Sequence, residues 1–219
     1  MKSNQEIEIK LRVPNVSALR RRLKQLKARQ ISPLTHELNT LYDTPKKNLS
    51  RHGQIIRLRV EHPPSRSSQN REALRTETKL TYKGPPQNKS NQPPALDHSK
   101  KKNRYKVKDE FEVEISDAQQ MRLILGALGL CPSFRYEKFR TTYVLKDLRN
   151  LKIELDETPI GTFLELEGSP SAINRAARLL GYIPSQYITQ TYGALYVADS
   201  RRHGLKPSNM LFSITKKSR

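Results

Sequence analysis

The chain has 219 residues, 41 lysines and arginines against 21 aspartates and glutamates, and a formal charge of +20 with a pI near 10.2. That size suits one domain with a real core, and that charge directs attention to anionic partners. A single cysteine, Cys131, excludes an intramolecular disulfide and a cysteine-based zinc cluster, and five scattered histidines show no metal-ligand spacing and read as surface residues. With no long apolar run and no apolar leader, a cytoplasmic protein without a membrane span is expected.

The first predicted element is a strand over 5–12, where Glu6, Glu8 and Lys10 share one face and Ile7, Ile9 and Leu11 the other. Asn15 can cap a helix over roughly 16–29, with Leu19, Leu23 and Leu26 inward and a heavily basic opposite face. A weakly alternating stretch, 35–42, runs into the turn Asp43-Thr44-Pro45. Strands are predicted over 54–61 and 75–83, separated by a flexible loop near 62–73. Residues 86–104, rich in Asn, Lys, Pro and Ser, form a second flexible loop before a strand over 105–115. Ser116 is expected to cap a helix ending at Gly129, with Met121, Ile124, Leu125 and Leu128 as its apolar stripe. Three strands follow, at about 134–146, 150–157 and 161–168. Pro170 opens a helix with Ile173, Ala176, Ala177 and Leu180 inward, and a last helix starts near Ser185 carrying Tyr187, Ile188, Tyr192, Leu195 and Tyr196 as packing residues. The tunnel or sheet domain is assigned to 1–200 and a basic tail to 201–219.

Charge recurs at alternate positions on nearly every strand: Arg57-x-Arg59-x-Glu61, Lys79-x-Thr81-x-Lys83, Glu110-x-Glu112-x-Glu114, Lys138-x-Arg140, Lys152-x-Glu154-x-Asp156 and Glu165-x-Glu167. Eight or so strands with few helices between them give an antiparallel α+β architecture. A face charged this consistently suits both cations and a polyanion. Pattern alone leaves two geometries open, an open sheet with a charged surface and a closed barrel with a wet, charged interior. The loop and tail lysines, such as Lys100-Lys101-Lys102, read as solvated, whereas same-face strand arginines repel one another and require an anion.

The joint order of several short motifs resembles CYTH-domain proteins of the triphosphate tunnel metalloenzyme superfamily, which includes class IV adenylate cyclases, thiamine triphosphatases and inorganic triphosphatases. The resemblance runs from Glu6 to about Tyr196. It rests on Glu6-x-Glu8-x-Lys10, Tyr42-Asp43-Thr44-Pro45, Ile56-Arg57-Leu58-Arg59, Thr81-Tyr82-Lys83-Gly84-Pro85, Glu110-x-Glu112, Glu137-Lys138-Phe139-Arg140, and Leu155-Asp156-Glu157 followed by Gly161-Thr162-Phe163-Leu164-Glu165-Leu166-Glu167. It implies a closed eight-stranded antiparallel tunnel, helices packed outside, that binds a triphosphate with Mg²⁺ or Mn²⁺. By this resemblance Glu6, Glu8, Glu165 and Glu167 hold metal, assisted by Glu110, Glu112 and Asp156. Lys10, Arg57, Arg59, Lys83, Lys138 and Arg140 hold phosphates, and Glu6, Glu8, Lys10, Lys83, Glu165 and Glu167 form the catalytic set.

Lys108 stands where relatives often have arginine, keeping charge but losing the bidentate fork. Glu114, Lys79, Glu61 and Lys152 share the inward parity but lie toward strand ends, at a tunnel mouth or in solvent. The implied activity is metal-dependent hydrolysis of inorganic triphosphate or a related organic triphosphate. The alternatives are a class IV adenylate cyclase making cyclic AMP and pyrophosphate from ATP, an RNA 5′-triphosphatase, and a non-catalytic polyphosphate or nucleotide-binding module. The expected partners are tripolyphosphate, ATP or another triphosphate, with no membrane, no nucleic acid required, and a homodimer as an option. Only Met1-Lys2-Ser3-Asn4-Gln5 stands before Glu6-x-Glu8-x-Lys10, without the His-Phe pair that cyclases tend to carry there, which favours the phosphatase.

Overall fold

Alternation along β1 (Gln5–Arg12) buries both of its faces: Ile9 and Leu11 are fully enclosed, and so, almost, are Glu8 and Lys10 opposite them. An apolar face is buried under helices and a charged face in a lumen. The computed structural model describes residues 5–63, 76–87 and 104–213. After β1 come α1 (Val16–Gln25), β2 (Arg29–Asp43), α2 (Asn48–Arg51), β3 (Ile55–His62), β4 (Glu77–Lys83) and β5 (Lys106–Glu114). They are followed by α3 (Ala118–Ala127), β6 (Cys131–Val144), β7 (Lys152–Thr158), β8 (Gly161–Glu167), α4 (Pro170–Leu179) and α5 (Tyr192–Arg202).

The eight strands close into one antiparallel barrel in the order β1-β5-β4-β3-β2-β6-β7-β8, so β1 joins the ring between β5 and β8. Closure decides between the two geometries the pattern left open. The register stacks inward residues at shared levels: Lys10 lies opposite Glu165, Glu8 opposite Glu167, and Arg140 opposite Asp156. Between β7 and β8, Gly161 adopts φ +114, a left-handed backbone that disfavours a side chain and lets the hairpin turn tightly. Outside, α1 and α4 cover β1, β7 and β8 through Leu19, Leu23, Ile173 and Ala177. Leu125 of α3 packs on Tyr42 and Leu58 of β2 and β3. A third cluster joins Leu195 and Tyr192 of α5 to the inward-parity residues Tyr136 and Phe163, so α5 closes one end of the lumen.

Several element boundaries differ from the sequence expectation. Helix α1 stops at Gln25, not 29: Lys27 takes a left-handed φ of 52° and Arg29 is captured by pairing with Val144 of β6. Strand β2 is correspondingly longer than 35–42, and its register slips twice around Pro33, which has no N–H for the ladder. Within 35–42 alternation reads weakly because polar residues occupy both parities, Glu37 and Asn39 on one and His36 and Thr40 on the other. Asp117, not Ser116, caps α3, accepting from the N–H groups of Gln119 and Gln120. The expected α3 stripe is only partly inward, with Leu125 buried but Ile124 and Leu128 exposed. No helix starts at Ser185. Pro184–Gln186 is one 3₁₀ turn, the next residues are extended, and α5 begins at Tyr192 under a Thr191 cap. The extended stretch fills an edge: β5 pairs with residues 5–8 of β1 only, and beyond it Lys10 exchanges backbone bonds with Ile188 at 2.8 and 2.9 Å.

Past α5 the chain returns to the barrel. Met210 is fully buried, its N–H donates to the Arg135 carbonyl, and Glu137 N–H donates back to Met210. The expected flexible loops fall mostly on 64–75 and 88–103, and the last part of the expected tail on 214–219, all outside the described residues. Among the described residues no helix is long and apolar enough to cross a membrane.

Candidate active site

The barrel encloses a cavity of about 310 Å³ whose lining includes Lys10, Arg57, Arg59, Lys83, Lys106, Lys138, Arg140 and Lys152. Seven glutamates face them: Glu6, Glu8, Glu110, Glu112, Glu154, Glu165 and Glu167. Every residue expected from the sequence to bind metal or phosphate lines this cavity except Asp156, which is fully buried beneath it. Asp156 instead receives Arg140 through Nε and Nη2 at 2.6 Å each, Lys138 at 2.9 Å and the Tyr192 hydroxyl at 2.7 Å. It therefore holds two cations in position from below.

The remaining contacts form a lattice of alternating charge. Lys10 Nζ lies 2.9 Å from Glu8 and 3.0 Å from Glu165, and Lys83 Nζ lies 2.6 Å from Glu6 and 3.1 Å from Glu110. Arg140 also meets Glu154 and Glu165. Arg57 donates to Thr81 Oγ1 at 3.1 Å, and Thr81 donates to Glu112 at 2.8 Å. Lys152 reaches Glu167 at 3.2 Å, and Lys79 sits between Glu61 and Glu77 toward the barrel end. Glu114 faces Lys79 in register, outside the cavity lining. Lys108 is outside the cavity lining and donates to the Gly53 carbonyl at 2.6 Å.

Burial and neighbours split the acids into two groups. Burial, then Glu8 and Glu110, push Glu6 up to about 7, and burial with Glu165 beside it pushes Glu154 to about 7. Burial also raises Glu8 and Glu165, but the positive charges of Lys10 and Lys106 on Glu8, and of Lys10 and Arg140 on Glu165, outweigh it and hold both well below the usual range. Lys10 is held above its ordinary value by Glu165 and Glu8 in spite of burial. Burial and the neighbouring Lys106 and Lys83 bring Lys108 down to about 8.

Two features bear on what could occupy the lumen. Arg57 Nε is a buried donor with no acceptor among the described residues, so the wall has unmet capacity for an anionic oxygen. The acids offer only carboxylate oxygens, the donor chemistry Mg²⁺ and Mn²⁺ prefer, and Glu6 is crowded by acids as a cation would relieve. The residues fit such an ion by type. Among the described residues no three carboxylates converge as a ready-made cage, because each is turned toward a lysine or arginine.

Sequence reasoning missed four participants. Lys106 and Glu154 line the cavity at inward parity and were legible in the alternation. Glu37, buried between Arg59, Lys138 and Arg140 at 3.4–3.6 Å, lies in a stretch with polar residues on both parities, so its face was not legible. Tyr192 stands in the lining with its ring 5.1 Å from Lys10 Nζ and 5.4 Å from Lys138 Nζ, yet its helical spacing read as packing, and it does pack.

The CYTH domain model matches residues 4–192. The chain belongs to the CYTH domain family. Among solved structures this CYTH domain is similar to the PH1819 protein of Pyrococcus horikoshii, at 21% identity and TM-score 0.65, covering 89% of this chain and 99% of that one. A Vibrio parahaemolyticus protein provisionally assigned as an adenylate cyclase superposes with TM-score 0.63 at 17% identity, covering 87% and 96%. A Hippeastrum protein, provisionally assigned as an adenylyl cyclase and found to have a dominant triphosphatase activity, superposes with TM-score 0.51 at 20% identity, covering 92% and 97%. At these identities the likeness is one of fold. No curated protein matches the CYTH chain by sequence.

Proposed function

We propose that this CYTH domain hydrolyses inorganic triphosphate or a related organic triphosphate with divalent cations bound in the lumen. The observation that carries the reading is one cavity in which eight basic side chains face seven glutamates. Seven carboxylates repel a bare polyanion and eight cations repel a bare metal ion. A metal-bound triphosphate brings both signs at once.

Lys10, Arg57, Arg59, Lys83, Lys138 and Arg140 would take the phosphate oxygens, the arginines as planar forks and the lysines as point charges. Glu6, Glu8, Glu165 and Glu167 would hold the metal, with Glu110 and Glu112 alongside. Bound Mg²⁺ or Mn²⁺ supplies charge neutralisation and polarisation of the phosphoryl oxygens. Asp156 and Glu37, on the same inward face, orient Arg140, Lys138 and Arg59, so these cations meet the substrate already positioned, the main requirement of phosphoryl transfer.

Incubation with tripolyphosphate, ATP and thiamine triphosphate, with and without Mg²⁺ or Mn²⁺, tests the reading by product identification. Tripolyphosphate should give pyrophosphate and orthophosphate faster than ATP is turned over, ATP should give ADP, and chelation should abolish both. Cyclic AMP with pyrophosphate as main products would instead support a cyclase. Binding without turnover would support a non-catalytic module, and undiminished activity in excess EDTA would remove the metal from the reading.

A further inference from the structure

The lumen accounts for one unit of the +20 charge, because its eight basic side chains face seven glutamates. The rest of the excess lies elsewhere, and part of it is concentrated on two neighbouring helices. No aspartate or glutamate occurs from Val13 to Gln30 or from Gly168 to Ala198. Helices α1 and α4 bury their apolar faces in the same core, and Arg22 Nε donates to the Leu179 carbonyl at 2.7 Å, joining them directly. With Leu19, Leu23, Ile173 and Ala177 inward, helical periodicity turns Arg21 and Lys24 of α1 and Arg175 and Arg178 of α4 to solvent, where all four are exposed. None of the four is in an ion pair with a described residue, whereas the nearby Arg20 is engaged by Glu157 at 3.2 Å. Arg21 with Lys24, and Arg175 with Arg178, are like charges three residues apart, a spacing that works against each helix.

We infer that the α1–α4 face binds the phosphate backbone of double-stranded nucleic acid. A duplex presents dense phosphates that basic side chains neutralise without reading bases, and a charged face without apolar or aromatic contacts can do that much. Single strands are held by aromatic stacking platforms, and an anionic membrane by apolar residues beside the cations. Neither helix exposes a large apolar side chain; Leu123 and Ile124 lie on α3 with Leu128 just past its end, and a lone Ile183 follows α4. The face is built from residues outside the lumen, so duplex binding and triphosphate chemistry are separable.

The test uses the full-length protein and short RNA and DNA duplexes with 5′-hydroxyl ends, which give the lumen no triphosphate to hold, with fluorescence anisotropy read across a salt series. The combined variant Arg21→Glu, Lys24→Glu, Arg175→Glu, Arg178→Glu should bind at least about tenfold more weakly near physiological salt. Its log affinity against log salt should be shallower by roughly 3 to 4, at about 0.9 per lost phosphate contact. The milder pair Arg21→Gln, Arg175→Gln should fall between, and a lumen variant, Arg57→Ala with Arg140→Ala, should bind duplex as the parent does. Unchanged affinity and slope in the fourfold variant, absence of duplex binding in the parent, or loss confined to the lumen variant would overturn the inference. Stronger retention on phosphatidylserine vesicles than on duplex would reassign the face to a membrane surface.

Discussion

At the scale of single residues, two buried carboxylates of the same barrel have different tasks. Asp156 is fully enclosed and its oxygens are taken up by Arg140, Lys138 and Tyr192, whereas Glu8 lines the cavity and meets Lys10 and Lys106 at 2.9 and 2.6 Å. Asp156→Ala leaves two buried cations without their counter-charge and should cost about 3–5 kcal/mol of stability, measured by denaturant unfolding. Glu8→Gln keeps the shape and removes one negative charge from the lumen. It should lower the unfolding midpoint by less than Asp156→Ala does, because Lys10 keeps Glu165 at 3.0 Å, while raising the Mg²⁺ concentration needed for half-maximal turnover. Equal loss of stability in both variants would mean that both acids are structural.

At the scale of elements, the segment after α5 secures the closed end of the lumen. Met210 packs with Tyr136, Phe163, Tyr192 and Leu195, and two of these, Tyr136 and Tyr192, line the cavity. Met210→Ala should destabilise the protein by about 2–5 kcal/mol and also raise KM for tripolyphosphate, although no atom of Met210 is in the lining. An unchanged KM in the folded variant would show the closed end to be indifferent to its support. These elements also mark where the sequence was legible. Strands β1 and β8 could be read residue by residue, because Glu6-x-Glu8-x-Lys10 and Glu165-x-Glu167 alternate without interruption. Glu37 could not, because His36 and Thr40 put polar side chains on the opposite parity as well, leaving no clean alternation to assign it inward. Helix α1 reads too long because Leu26 continues the helical spacing of Leu19 and Leu23, which pairing of Arg29 with Val144 overrides. Tyr192 was recognised as buried but not as part of the wall, since one spacing serves both ends.

At the scale of the whole molecule, the lumen is a store of electrostatic tension that pH and metal should tune. Glu6 and Glu154 keep protons up to about pH 7 in the folded protein, whereas an unfolded glutamate releases its proton near 4.5. Between those values the folded state binds more protons, so stability without metal should decline as pH rises. Glu8 and Glu165 act with the opposite sign, but their contribution is lost only below about 4.5, the ordinary carboxylate range. Lys108, at about 8 against 10.5 unfolded, makes stability rise again above about pH 8. Thermal unfolding in EDTA should therefore show its lowest midpoint between about pH 7 and 8, and added Mg²⁺ should raise that minimum most. A midpoint climbing steadily from about pH 5 to 8 would contradict the raised values.

Closure of the ring between the first strand and the last has a consequence for how the protein is made. As the chain leaves the ribosome, β1 comes first, yet its ladder partners are β5 and β8, and Lys10 also pairs with Ile188. Until those segments are synthesised, Glu6, Glu8 and Lys10 belong to an unpaired strand in water, and no level of the wall is complete. Pairings so distant along the chain are expected to form slowly and late. Nascent products that stop short of Tyr192 would lack part of the wall at every length, so translation should yield no partially competent fragment, only a chain that gains its site once Tyr192 has emerged.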